Sequence, residues 1–592
     1  MILQALYEYY QRKVAESDSS VALEGWEWKE IPYLIVINSK GKFVAINDTR
    51  EGEGKTRRAR KFLVPQSEKR SVNIKAYLLW DNIEYALGAN PRKRKDVKQR
   101  HDAFKQRIED EFGEKKIPSV NALMKYLSDD PIKQIKQSEF ADMWKDVLEE
   151  NPFVAFKIDG LTHASICDDI RGKNISNKSV REGKSVCLIT GDTNVEAARL
   201  HPDVKGVRGT NTKGATLVSF NLPAFNSYNK TQNYNAPVSK SAAFAYTSAL
   251  NVLLGKDSRT KVSAGDSTIV FWAEKRKQAG EPFDLENNFA WYITDQKDDP
   301  DRGVQAVKSL YEAIHTGRLS ASNERFYVLG LAPNAARISV RFFRQGTIRD
   351  FGEKIKTHFD DFDIVRSPFD PEYLSLYKIL TATALQYKME NVPPNLAGAV
   401  VGSVLDGTPY PVSLLQQCIR RIRAEQNVTH ARAAILKAYI NRFNRIHKPL
   451  EKEVTVSLDK TNTNPGYLLG RLFSVLERVQ NAANNNKEPN AGIRDRFYGA
   501  FSSTPITVLP LLEKLYGHHL GKIEKSKGFF ESVKGEIIDK LNTQNIPAHL
   551  TMDQQALFAI GYYHQRQEFF KSKNDPNELE QPTITSNGGE NK

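Results

Sequence analysis

The side chains best suited to chemistry lie in the run SFNLPAFNSYNKTQNYNAP, residues 219–237, named here the amide loop. It holds five Asn, one Gln, one Lys and four aromatic rings. An amide presents a donor beside an acceptor, the pair that an adenine edge requires, and aromatic rings offer faces on which bases stack. Such amides also bond to the backbone of their own loop. The composition therefore leaves two interpretations open, a nucleic-acid contact and a self-braced loop.

A basic cluster near the start of the chain offers complementary chemistry. Its cations suit phosphate contacts, and the Asn beside them suits a base edge. We expect DNA contacts from Lys55, Arg57, Arg58, Arg60, Lys61, Lys69, Arg70 and Asn73. A second basic run at 92–100 is as typical of a solvated helix face as of a nucleic-acid contact.

Motifs for catalysis are weak by comparison. The sequence contains no HExxH, no GxSxG and no dinucleotide fingerprint. Asp360, Asp361 and Asp363 are a candidate magnesium site, and the pair His101-Asp102 is a weaker one. The three cysteines form no CxxC pair, which argues against a zinc site. We expect no cofactor, no metal site and no enzymatic activity; a metal-dependent nuclease is the alternative.

The net charge and the length of the chain limit the classes of protein to which it can belong. The net charge of +14 indicates a polyanionic partner. A chain of 592 residues is too long for one core. No run approaches 18 apolar residues, and the first residues lack the pattern of a signal peptide. We therefore expect no membrane contact and a cytoplasmic location.

The periodicity predicts an α+β fold: a mixed α/β N-terminal body followed by an all-α C-terminal helical bundle. Alternating and continuous apolar runs predict strands, including a hairpin at 31–46. Beyond residue 350 the apolar period is helical, and the helices near 414–422 and 435–443 are expected to carry a basic solvent face. We predict a body at 1–350, a basic helical connector at 351–450, a helical bundle at 451–570 and a polar, disordered tail at 571–592.

Several long motifs resemble one known family, the large subunit of the subtype I-C CRISPR Cascade surveillance complex. The resemblance runs in order from the first residue to about residue 570. Besides the amide loop, it rests on MILQALYEYYQR (1–12), LGLAPNAAR (329–337), NPGYLLGRLF (464–473) and GYYHQ (561–565).

The resemblance implies a non-catalytic subunit that inspects duplex DNA for the protospacer-adjacent motif (PAM) and helps to open it for R-loop formation. The implied partners are the guide-RNA (crRNA) complex, target double-stranded DNA, the backbone and RNA-processing subunits, the small subunit and a recruited nuclease–helicase. A pure scaffold of the ribonucleoprotein is a further alternative. In this reading the PAM region is met by Asn226, Asn229, Lys230, Gln232, Asn233 and Asn235. The displaced strand or other backbones are expected to meet Arg471, Arg478, Arg494, Arg496, Lys522 and Lys525.

The family also implies that its C-terminal helical part is made separately as the small subunit. No methionine occurs between Met389 and Met552, so an AUG start near residue 464 is impossible. Val456 can be encoded by GUG, and residues 452–454 (Lys-Glu-Val) can be encoded as AAGGAGGUN, a ribosome-binding sequence. The expected internal start is therefore Val456.

Overall fold

The computed structural model describes all residues except 17–20, 53–56, 68–73, 172–184, 257, 275–283, 294–299, 318, 320–322, 485–490, 524–525, 542–545 and 572–592. The predicted tail lies outside the described residues. The chain forms two compact units. The first comprises residues 1–202 and 218–252, and the second comprises 203–217 and 253–592.

The first unit is built on a four-stranded mixed sheet covered by helices. Its elements are α1 (Ile2–Ala15), β1 (Trp26–Glu30), β2 (Tyr33–Ile37), β3 (Phe43–Asp48), β4 (Arg50–Glu51), β5 (Arg58–Ala59), β6 (Lys61–Pro65), β7 (Trp80–Asn82), α2 (Ile83–Ala86), α3 (Val97–Phe112), α4 (Pro118–Ser128), α5 (Pro131–Lys136), α6 (Ala141–Glu150), β8 (Phe153–Ile158), α7 (Ile166–Asp169) and α8 (Lys240–Leu253). The sheet order is β3-β2-β8-β7, and two small ribbons pair β1 with β6 and β4 with β5.

The centre of this sheet follows from sequence. The run YLIVI of β2 is buried at every position, and β2 lies inside the sheet between antiparallel β3 and parallel β8. Continuous apolar runs are typical of strands covered on both faces. Gly41 closes the hairpin between β2 and β3 with a φ of +80°, and a methyl group there would overlap the carbonyl oxygen of Ala122. The predicted hairpin is confirmed.

The second unit joins an antiparallel sheet to a large set of helices. Its elements are β9 (Lys261–Ala264), β10 (Ser267–Ala273), α9 (Leu285–Ile293), α10 (Pro300–His315), β11 (Arg325–Asn334), β12 (Arg337–Thr347), α11 (Ile348–Phe362), α12 (Leu376–Ala382), α13 (Leu396–Asp406), α14 (Val412–Glu425), α15 (His430–His447), α16 (Pro465–Ala483), α17 (Ile493–Phe501), α18 (Pro505–Leu520), α19 (Lys527–Lys540) and α20 (Met552–Lys571). The sheet order is β12-β11-β10-β9. One hydrophobic core runs from this sheet to α20.

The predicted fold class is confirmed: strands and helices alternate first, and only helices follow β12 apart from short 3₁₀ turns in the described residues. The second sheet lies before residue 350 yet packs with the helices after it. The functional boundaries at 350, 450 and 570 stay predictions.

One expectation for the helices is wrong. Helix α15 packs against α11, α12, α14 and α20, so it has no basic solvent face over most of its length. Arg432, Lys437 and Arg442 are buried. Their charges are met inside the protein by Glu425, by Asp361 and by backbone carbonyl groups.

Candidate nucleic-acid interface

The amide loop contains a tight hairpin turn at residues 227–230. Lys230 N–H donates to the Ser227 carbonyl oxygen at 2.9 Å, and the two residues form a β-bridge. Tyr228 and Asn229 between them have φ values of +48° and +57°. Two positive φ angles define a type I′ turn, for which Asn-Gly is the usual sequence. Here the first position carries a tyrosine, whose side chain is 95% exposed.

Asn235 braces this turn from below. Its Oδ1 accepts from Ser227 N–H at 2.9 Å, and its Nδ2 donates to the carbonyl oxygens of Lys230 (3.1 Å) and Gln232 (2.8 Å). The hydrogen bonds of the Asn235 amide are therefore made to the backbone of its own loop. It fixes the turn to the 3₁₀ segment Gln232–Asn235.

Asn233 anchors the loop to the first unit. Its side chain is buried, and Nδ2 donates to the Val218 carbonyl oxygen at 3.4 Å. Its backbone N–H donates to the carbonyl oxygen of Arg199. Of the two interpretations left open by the composition, the self-braced loop describes Asn233 and Asn235.

The other predicted residues of the loop point outward. Asn226, Asn229 and Lys230 are exposed, and Gln232 is half-buried. Together with the ring of Tyr228 they present amides, one cation and one aromatic face on a braced backbone. The predicted site omits Tyr228, because the sequence does not distinguish its ring from the three others in the run. Its position at the tip of the turn is what sets it apart.

The basic cluster forms part of the β4–β5 and β1–β6 ribbons. Arg58, Arg60 and Lys61 are exposed, and Arg58 and Arg60 line a shallow depression together with Glu51, Gly52 and Ala59. Arg57 is paired with Asp48 at 2.7 Å. Burial works against ionisation of Asp48, but hydrogen bonds and charge from Arg50, with Arg57, outweigh it and lower its pKa. Lys55, Lys69, Arg70 and Asn73 lie outside the described residues.

The second basic run is partly neutralised within the fold. Arg100 pairs with Asp96 at 2.8 Å, and Arg94 approaches Glu84 at 3.4 Å. These pairs leave the run with a smaller effective charge than its sequence indicates.

In the C-terminal helices the predicted contact residues divide by exposure. Arg496 and Lys522 are exposed, and Arg478 is half-buried. Arg494 lies 3.6 Å from Glu477. Lys525 lies outside the described residues.

Arg471 does not lie at the surface expected for it. It is fully buried, where it donates to Gln565 at 3.0 Å and to Glu536 at 3.2 Å. These bonds join α16 to α20 and α19, so Arg471 holds the bundle together.

The acidic candidates are engaged in other contacts. Asp361 is buried and accepts from Arg442 at 2.7 Å and from Arg445 at 3.0 Å. Asp360 accepts from Tyr311 and Lys356. In the part of the chain that the structure describes, no three His, Cys, Asp or Glu side chains are grouped to hold a metal ion.

The histidine candidate is equally occupied. His101 donates through Nδ1 to the Tyr85 carbonyl oxygen at 3.0 Å, and Asp102 pairs with Lys105 at 3.2 Å. Burial lowers the pKa of His101, although the Tyr85 carbonyl opposes this. Both side chains are accounted for by local structure.

The fold and the amide loop together define a basic α+β protein with outward amides and an aromatic tip suited to nucleic acid. The family described as CRISPR-associated protein (Cas_Csd1) matches residues 6–570. The chain therefore belongs to this family, the type I-C large subunits, which confirms the resemblance. No curated protein shows a significant match. None of the described helices is long and apolar enough to cross a membrane.

Proposed function

We propose that this chain is the non-catalytic large subunit of a type I-C Cascade complex. In this proposal it recognises the PAM in duplex DNA, helps to open the duplex for R-loop formation and supports recruitment of the nuclease–helicase. Its partners are the crRNA complex, the backbone and RNA-processing subunits and the small subunit, in the cytoplasm. Membership of the CRISPR-associated family supports the setting. The proposed DNA contact is supported by the turn of the amide loop, whose backbone is held by hydrogen bonds from Asn235 while its other polar side chains face outward.

The loop divides the work between two sets of residues. Asn229, Lys230 and Gln232 face outward and are the proposed readers, with Asn226 beside them. Asn233 and Asn235 set their position by holding the backbone. A braced backbone favours recognition because less conformational freedom is lost on binding. Arg58, Arg60 and Lys61 are proposed to bind phosphates, which add affinity but no sequence preference.

The test compares binding of the assembled guide-RNA complex to duplexes with and without a PAM. Asn229→Ala and Gln232→Ala are expected to reduce the ratio of the two affinities about ten-fold each, because a side chain paired with a base edge carries that order of discrimination. Arg58→Gln is the contrasting control: it should weaken both duplexes alike and reduce the salt dependence. Equal loss on both duplexes for Asn229→Ala and Gln232→Ala would contradict the assignment.

Asn235→Ala is the variant that separates positioning from reading. It leaves the outward side chains chemically unchanged but removes three hydrogen bonds that hold the backbone of the turn. We expect it to reduce PAM discrimination as much as the reader variants. Asn235→Asp is the finer change, since it keeps the acceptor for Ser227 N–H and loses the donor.

In the described residues, no group of carboxylates or histidines is arranged as the nuclease alternative requires. Its central carboxylate, Asp361, is bound by two arginines inside the helical core. Magnesium-dependent cleavage of DNA by the full chain would nevertheless overturn the non-catalytic proposal. The scaffold alternative would gain if the complex bound PAM-containing DNA equally well without this chain.

We also propose that residues 456–592 are made separately as the small subunit. The helices after Val456 share internal polar contacts: Tyr467 meets His564 at 3.0 Å, and Tyr562 donates to Glu477 at 2.5 Å. Helix α16 packs closely on α20, α18 and α19. A segment with its own packed helices is suited to independent production.

A further inference from the structure

A second turn of unusual geometry lies in the second unit, at residues 385–388. Gln386 and Tyr387 have φ values of +56° and +54°. Lys388 N–H donates to the Leu385 carbonyl oxygen at 3.3 Å and closes the turn. A 3₁₀ segment, Met389–Asn391, follows, and Asn391 Nδ2 donates back to the same Leu385 oxygen at 3.0 Å.

This arrangement repeats that of the amide loop. Both turns have two successive non-glycine residues at positive φ, one of them a tyrosine and the other an amide residue. Both are closed by a lysine, Lys230 or Lys388. Both are followed by a 3₁₀ segment whose last residue, Asn235 or Asn391, returns an amide bond to the turn. The two stretches share no sequence motif apart from these residue types.

The geometry is costly for the residues that adopt it. Positive φ is readily adopted by glycine and disfavoured by larger side chains. Glycine at Gln386 or Tyr387 would make the same turn without this strain. Strained backbone of this kind concentrates at functional sites, which makes the side chains of Gln386 and Tyr387 candidates for a functional role.

Tyr387 is fixed in a way that suits stacking. The guanidinium of Arg432 lies 5.3 Å from its ring centroid. Arg432 is itself fully buried and held by the carbonyl oxygens of Ala382 and Asn427, each at 3.0 Å, and by Glu425 at 2.6 Å. A cation over one ring face attracts that ring and orients it. The residue remains 47% exposed.

The surroundings of this ring are open and polar. Leu385, Gln386 and Lys388 are exposed. Lys388 lies 4.0 Å from Glu390, and both side chains are exposed, so this ion pair is weak. An oriented ring, an amide and an available ammonium group therefore lie within four consecutive residues.

We propose that Tyr387 is a stacking platform for an unpaired nucleobase and that Lys388 binds the phosphate beside it. Bases inside a duplex are covered on both faces by their neighbours, so a protein ring stacks on bases that are unpaired. The proposal rests on the proposed function only for the source of such bases, the displaced DNA strand or the guide RNA. The platform belongs to the second unit, whereas the amide loop belongs to the first.

The test measures binding of the full chain to three labelled probes: a single-stranded DNA oligonucleotide, RNA of the same sequence and the blunt DNA duplex, none carrying a PAM. Tyr387→Ala is expected to weaken single-strand binding about ten-fold, the order found for loss of one base–aromatic stack. Tyr387→Phe keeps the ring and should retain the affinity. Lys388→Gln should lower the slope of log affinity against log salt by about one.

Phe369→Ala is the matched control. Phe369 is an aromatic ring 98% exposed at the tip of another turn of the same unit, where Asp370 N–H donates to the Ser367 oxygen at 3.0 Å. Its removal should leave the affinity unchanged. The thermal melting of each variant reports whether loss of the ring over Arg432 has disturbed the fold. Tyr387→Phe keeps this ring, so it removes the hydroxyl group while the stacking face and the contact with Arg432 remain.

The outcomes assign or overturn the site. A loss confined to the DNA strand assigns the platform to the displaced strand, and a loss confined to RNA assigns it to the guide. Unchanged single-strand binding by a folded Tyr387→Ala overturns the proposal, as does an equal loss with Phe369→Ala or an equal loss on the duplex. Because the probes carry no PAM, failure here leaves the amide-loop test unaffected.

Discussion

At the scale of single residues, burial decides what a charged or polar side chain does in this protein. Arg432, Arg442 and Arg471 belong to basic helices, yet all three are buried and bound to groups of the protein. Asn229 and Asn235 lie six positions apart in one run, yet one is exposed and the other braces the turn. Residue type limited the roles that each of these side chains could have, and its position in the fold decided which role it has.

The lowered pKa values of two buried histidines predict how the free energy of unfolding changes with pH. Burial, with the charge of Arg442, lowers the pKa of His358 to about 3, and burial lowers that of His201 to about 4. Each is bonded through Nδ1 to a tyrosine hydroxyl, Tyr410 or Tyr246, at 2.7 Å. Below the ordinary histidine value near 6.5 the unfolded chain binds protons that the folded chain does not, so stability falls as pH falls.

The expected loss between pH 7.5 and pH 5 is about 2 kcal/mol for His358, from 1.36 kcal/mol per unit of pKa. Urea unfolding of the full chain at the two pH values measures it. His358→Gln removes the titrating group and should show a smaller loss on acidification, from a lower starting stability. His315→Gln, at an exposed histidine, is the control and should match the original chain. An identical pH dependence in His358→Gln would contradict this account.

At the scale of elements, the close contact between α16 and α20 depends on glycine. A methyl group on Gly470 of α16 would overlap the carbonyl oxygen of Phe558 in α20, and one on Gly561 would overlap that of Tyr467. Small residues at such positions let two helix backbones approach closely. The motifs NPGYLLGRLF and GYYHQ, which are remote in sequence, therefore meet at one contact.

Gly470→Ala is expected to destabilise the protein by about 3 kcal/mol, because the overlapped atoms are backbone and the helices must move apart. Gly499→Ala in α17 is the matched control, since its methyl group would meet nothing within 4 Å. There the gain in helix propensity should leave stability unchanged or raise it by about 1 kcal/mol. Denaturant unfolding of both variants checks the prediction; equal effects would contradict it.

At the scale of the whole molecule, the net charge is +14, but only some of the basic side chains are exposed. Buried Arg432, Arg442 and Arg471 each pair with a carboxylate, so these pairs sum to zero and the excess positive charge belongs to other side chains. The exposed groups Arg58, Arg60, Lys61 and Lys230 lie in the first unit. Net charge thus indicated the kind of partner but not the surface that meets it.

The proposed separate production of residues 456–592 can be tested by changing codons without changing the protein sequence. Silent recoding that removes AAGGAGG ahead of Val456 should abolish a short product detected by a C-terminal tag while the full chain persists. Recoding of the same extent further upstream is the control. Persistence of the short product after recoding would rule out this start.

The sequence by itself determined the fold class, the hairpin of β2 and β3 and the family, whereas the strands that apolar runs predict at 185–190 and 216–220 are isolated bridges and turns in the structure. The first three depend on local periodicity and on long motifs that are read along the chain, as with the apolar run of β2 and the motif NPGYLLGRLF. The sequence also indicated nucleic acid as the partner, because charge and amide content are sums over residues. The internal division of the amide loop was left open.

Only the tertiary structure decided which of the candidate residues are available. The burial of Arg471, the pairing of Asp361 with Arg442 and Arg445, and the brace formed by Asn235 each depend on groups brought together by folding. Tyr387 passed unnoticed in the sequence, because its positive φ and its contact with Arg432, 45 positions away, arise only in three dimensions. Composition and period are properties of the chain, whereas exposure and pairing are properties of its packing.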